Sequence, residues 1–120
     1  MTEIAFWILT ALSRGIRHGY AVLTDVKELS DGAVVLRVTT LYASLERLER
    51  DGRIDIAREE VVDGRARRYY EITEDGREQL AAEAELLAQR AAVAKSSIAS
   101  QPARTRAATV STITALAVTA

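Results

Sequence analysis

Three cations stand in four positions directly after a turn signal: Asp63-Gly64 is followed by Arg65, Arg67 and Arg68. Guanidinium groups stay charged and present forked donors that match phosphate or carboxylate oxygens. A hairpin tip armed in this way has the chemistry to lie against a phosphate backbone or to probe a minor groove. A second set lies upstream in a segment of helical period. There Thr40, Ser44, Arg47 and Arg50 share a polar face, with Tyr42 and Glu46 at its flanks. Hydroxyls and arginines suit base edges and phosphates. Each set alone also fits an ordinary solvated face; their order along the chain is what favours nucleic-acid binding.

Composition removes most other chemistries. The 120 residues include no Cys, which excludes disulfides, a thiol nucleophile and Cys-ligated zinc. The single His18 cannot supply the His clusters that hold catalytic metals, and it falls at a helix start, where a capping or surface role is expected. The carboxylates are scattered, and no glycine-rich phosphate loop is present. No catalytic residue, metal or cofactor is therefore expected. Apolar residues make up 48% and charged ones 28%, the balance of a folded domain. Lys plus Arg is 16 and Asp plus Glu 17, a near-neutral balance that counts mildly against a polyanionic partner. Location softens that objection, because the acids from Glu74 to Glu85 are separate from the basic segments. No apolar run reaches the roughly 18 residues of a membrane span and no basic stretch opens an apolar leader, so a cytoplasmic protein without membrane contact is expected.

The elements that must position these residues follow from periodicity. Ile4, Ile8, Leu9 and Leu12 mark a helix over 3–14, with Phe6, Trp7 and Ala11 off the stripe, so that it is apolar on more than one face. Ala21, Val22, Val26 and Leu29 mark a second helix over about 18–30, ended by Ser30-Asp31-Gly32. Ala33 to Leu36 reads as a short ladder strand. Leu41, Leu45 and Leu48 give the inner stripe of a third helix from about Val38 to Asp51. The period then becomes two. Ile54 to Val62 and Arg65 to Ile72 form a hairpin about Asp63-Gly64, in which Tyr70 and Ile72 share one face and Arg65, Arg67 and Tyr69 the other. Thr73 caps a fourth helix over about 74–98, whose stripe is Leu80, Ala84, Leu87, Ala91, Ala94 and Ile98 in alternating 4–3 spacing.

Three helices followed by a hairpin is the order of a winged helix-turn-helix. The expected fold is mainly α (α+β), with a long C-terminal dimerisation helix. The expected organisation is a DNA-binding domain over 1–73, a dimerisation helix over 74–98 and an Ala/Ser/Thr-rich tail over 99–120. The alternative is a winged-helix protein-interaction module without specific DNA binding.

The chain resembles the PadR family of bacterial transcriptional regulators. The matching stretches are His18-Gly19-Tyr20, Thr40-Leu41-Tyr42, the run from Leu45 to Gly52, the wing from Asp63 to Tyr70, and Ile72 to Arg77. The likeness covers about residues 4–95 and points to the short subfamily. Where many relatives have Ser-Pro-Gly, this chain has Arg37-Val38-Thr39, so the third helix needs another cap, for which Thr39 is the candidate. The resemblance implies a homodimeric repressor on a palindromic operator, released by an aromatic or drug-like effector. Two recognition helices would enter successive major grooves roughly 34–36 Å apart. The residues expected to meet double-stranded DNA are Tyr20, Arg37, Thr39, Thr40, Tyr42, Ser44, Arg47, Arg65, Arg67 and Arg68. Phe6 and Trp7 are the candidates for the effector. Trp7, Leu80, Ala84, Leu87, Ala91, Ala94 and Ile98 are those for the dimer interface.

Overall fold

Leu41, Leu45 and Leu48 recur every three or four residues, and all are buried against Ile8, Leu9 and Leu12 of the first helix and Val22 and Val26 of the second. Burying each such side chain stabilises the fold by about 1.5–3 kcal/mol. The structure is a computed structural model and describes residues 1–101. Its elements are α1 (Glu3–Leu12), β1 (Arg17–His18), α2 (Gly19–Leu29), α3 (Val38–Arg50), β2 (Ile54–Val62), β3 (Arg65–Ile72) and α4 (Glu74–Ser100). The chain falls into two units, Met1–Glu85 and a second from Leu86 onward.

In the first unit α1, α2 and α3 enclose the core, and Ile54 and Tyr70 close it from the sheet. The sheet is antiparallel in the order β1-β3-β2. The hairpin turns as its sequence requires. Asp63 and Gly64 have φ of 52° and 76°, the pair of left-handed residues that a type I′ turn needs. Thr73 caps α4: its hydroxyl accepts the Gly76 N–H at 3.0 Å and donates to the Gly52 carbonyl at 2.7 Å. That pair of bonds ties the start of α4 to the end of α3.

Two expectations are corrected. The segment Ala33 to Leu36 is not a strand; the third strand is Arg17–His18, paired with Tyr70 and Tyr69. The Val34 N–H that a ladder would need is taken by the buried Ser30 hydroxyl at 3.0 Å. Thr39 does not cap α3. The cap position is Arg37, without a side-chain hydrogen bond, and Thr39 lies inside the first turn. Leu80, expected on the dimer seam, is half-buried against the core of its own chain. The tail expected over 99–120 lies outside the described residues beyond Gln101.

In the second unit the helix carries Leu87, Ala91, Ala94 and Ile98 exposed, together with Leu86 and Val93. Ala84, just before the unit boundary, is exposed as well. Among the described residues no helix is long and apolar enough to cross a membrane.

Candidate nucleic-acid interface

The start of α2 is built from a histidine, a glycine and a tyrosine, each with a distinct task. His18 is the cap, its Nδ1 accepting the Ala21 N–H at 3.2 Å. Gly19 is buried beneath the ring of Tyr42, which comes from the first turn and a half of α3. A Cβ on Gly19 would stand 2.7 Å from the Tyr42 hydroxyl, so the ring rests directly on the backbone of the helix start. Tyr20 follows, is 67% exposed and lines the same cleft as that ring.

The wing supplies the opposite wall. His18, Gly19, Tyr20 and Tyr42 line one open cleft with Val62, Asp63, Arg65, Ala66, Arg67, Arg68 and Tyr70, a space of about 750 Å³. The short β1–β3 pairing sets this geometry, because it fastens the residue before α2 to the base of the wing. Five of the residues expected from the sequence are thus brought together: Tyr20, Tyr42, Arg65, Arg67 and Arg68.

The wing arginines are not equivalent. Arg68 is paired with Glu59 across the hairpin at 2.8 Å. Among the described residues Arg65 and Arg67 form no ion pair, and both are exposed. A bulge between Ile56 and Arg58 sets Arg58 opposite Tyr69. The Arg58 guanidinium lies 4.1 Å from the Tyr69 ring centroid and is held at 2.9 Å by Glu60. Tyr69 in turn meets the His18 ring edge-on at 5.6 Å. Burial and the Arg67 cation hold the His18 imidazole below its ordinary range, against the opposing pull of Asp25. Burial also pushes the Tyr70 hydroxyl up, partly offset by Arg68.

The remaining expected residues lie elsewhere. Ser44 and Arg47 line a second cleft with Met1, Thr2, Ile4 and Ala5, apart from the wing. The Ser44 hydroxyl is turned back to the Thr40 carbonyl at 2.8 Å, and both residues are half-buried. Arg37 and Thr39 are exposed at the start of α3, where no side chain caps the first-turn N–H groups. Phe6 and Trp7 are half-buried and meet edge to face at 5.3 Å, with Trp7 also packed on the core. The expectations above do not include Gly19 or Arg58 as site residues. A glycine directly before a helical tyrosine was the available signal for the first; a bulge leaves no periodic trace for the second.

Comparison with known proteins agrees with this architecture. The transcriptional regulator PadR-like family matches residues 8–82. A transcriptional regulator of Mycobacterium tuberculosis is 44% identical over 71 residues, which are 59% of this chain and 50% of the relative. The chain thus spans about half the length of that curated relative. Among solved structures, a transcriptional regulator from Clostridium thermocellum superposes with a TM-score of 0.63 at 27% identity, covering 78% of this chain and 87% of the other. Bacillus subtilis PadR, solved in complex with operator DNA, superposes with a TM-score of 0.60 at 23% identity over 67% of this chain and 45% of that one. A family match over more than half of the sequence, on a winged helix-turn-helix whose wing and helix pair share one cleft, establishes the relationship: the chain belongs to the PadR-like family of transcriptional regulators.

Proposed function

We propose that the chain is a DNA-binding transcriptional regulator that grips the DNA backbone in the cleft between its wing and the start of α2. The observation that carries this reading is the convergence of Tyr20, Tyr42, Arg65 and Arg67 on one open surface. Two phenol hydroxyls and two unpaired guanidiniums suit a line of phosphates. The uncapped first turn of α3 adds backbone N–H groups for another phosphate, with Arg37 beside them. Arg68, already neutralised by Glu59, contributes less. The operator DNA bound by the Bacillus subtilis relative supports the same reading.

The regulator acts as a homodimer joined through α4, on a palindromic operator whose half-sites match the protein two-fold. The exposed apolar residues Leu87, Val93 and Ile98 support this, since a monomer would leave that stripe in water. It works as a repressor and is released by a small aromatic or drug-like effector at Phe6 and Trp7. The effector shifts the DNA-competent population only by its differential affinity for the two states. Titration of wild-type chain and an Arg65→Ala/Arg67→Ala double variant against duplex DNA tests the central part. The reading expects steeply salt-dependent binding that the double variant weakens. Binding that ignores both salt and the two arginines contradicts it and favours a protein partner instead.

A further inference from the structure

We infer that Glu46 reads a cytosine in each half-site of the operator. The inference rests on the DNA-binding reading above and goes beyond it by naming a base and its reader. Leu41, Leu45 and Leu48 turn inward, so at 100° per residue the outward face of α3 carries Thr39, Ala43, Glu46 and Arg50, all exposed. Glu46 follows by one helical turn Tyr42, which lines the wing cleft. Among the described residues its carboxylate has no ion pair and no side-chain hydrogen bond.

An unpaired carboxylate on the face turned toward a polyanion is repelled by every phosphate around it. It is accommodated only where a donor meets it. In the major groove the donors are the exocyclic amines of cytosine and adenine. An ionised carboxylate is acceptor-only. Adenine sets its N7 acceptor beside N6, and guanine and thymine present O6, N7 or O4, all of which repel a carboxylate. Cytosine N4 offers a donor without that competing acceptor, so cytosine is the base that Glu46 selects.

The test is selection of binding sites from a randomised duplex pool by the full chain, as wild type, Glu46→Ala and Glu46→Gln. The wild type should enrich sites with one symmetric cytosine per half-site. Glu46→Ala should lose about 10-fold or more of the discrimination at that position and keep the preferences elsewhere. Glu46→Gln should move the preference toward adenine, whose N6 and N7 match an amide. Unaltered preferences at every position in both variants would overturn the assignment while leaving DNA binding standing. A wild-type chain that enriches no site overturns the DNA-binding reading and this one together. Glu46 is exposed and unpartnered, so both variants should retain the wild-type circular dichroism.

Discussion

Tyr42 of α3 lies on Gly19 of α2 so closely that one added carbon on the glycine would meet the phenol oxygen at 2.7 Å. The helix pair is therefore docked at the mouth of the cleft by an aromatic ring on bare backbone. The same contact fixes where the Tyr42 hydroxyl points. The proposed DNA contact of Tyr42 thus depends on the same residue pair as the packing, and the two can be separated by mutation.

Gly19→Ala should do so. The atoms it meets are the far end of a tyrosine side chain, which can swing away, and alanine is the better helix former. Stability should change by less than about 1 kcal/mol in urea titration, while the displaced hydroxyl costs about 10-fold in DNA affinity, the scale of one charge-assisted hydrogen bond. A large loss of stability with unchanged affinity would refute that division of roles.

Gly76→Ala should behave in the opposite way. A Cβ there would collide with the Arg53 carbonyl, which cannot withdraw because it accepts the Thr73 N–H at 3.0 Å. Overpacking against backbone costs about 1–3 kcal/mol. Thermal denaturation should show a clear fall in Tm, with no selective effect on DNA sequence preference.

The hairpin tip was legible from two residues, because few sequences other than Asp-Gly accept positive φ twice. The stripe Leu41, Leu45, Leu48 likewise defined α3 and its buried face. What was not legible was tertiary in origin. The strand Arg17–His18 is two residues long and exists only because Tyr69 and Tyr70 pair with it, so it has no periodicity of its own. Ala33 to Leu36 has strand-like composition, yet Ser30 takes the N–H of Val34. Helical spacing places Ser44 and Arg47 on the polar face with Tyr42 at its flank. It does not show that α1 lies along one flank of that face and the wing along the other. The charge pairing that separates Arg68 from Arg65 and Arg67 depended on strand register in the same way.

His18 gives the fold a defined pH dependence. Its folded-state pKa lies below the ordinary 6.5, so the unfolded chain binds the extra proton first as pH falls. The stability that His18 contributes is complete above about 6.5 and declines as pH drops from there through the folded value. Protonation also removes the Nδ1 lone pair that caps Ala21. His18→Asn, which keeps a capping acceptor without a titrating group, should flatten this part of the curve in urea titrations between pH 7 and 5. An imidazole resonance that titrates above its free value would contradict the assignment.

The α4 stripe predicts the oligomeric state. Leu87 is 42% exposed in the single chain. In sedimentation equilibrium the wild type should sediment as a dimer and Leu87→Glu as a monomer, because the variant would place an unpaired charge in the proposed apolar seam. A variant that still sediments as a dimer would put the interface elsewhere.

Salt dependence of duplex DNA binding is the most direct test of the cleft. Fluorescence anisotropy with a labelled fragment from upstream of the protein's own gene, at several salt concentrations, gives a log–log slope proportional to the phosphates neutralised. The wild type should show a steep negative slope, Arg67→Ala a slope shallower by about one per protomer, and Arg65→Ala/Arg67→Ala by about two. A flat wild-type slope, or a double variant that follows the wild-type line, would show that the cleft between wing and helix pair does not hold the DNA backbone.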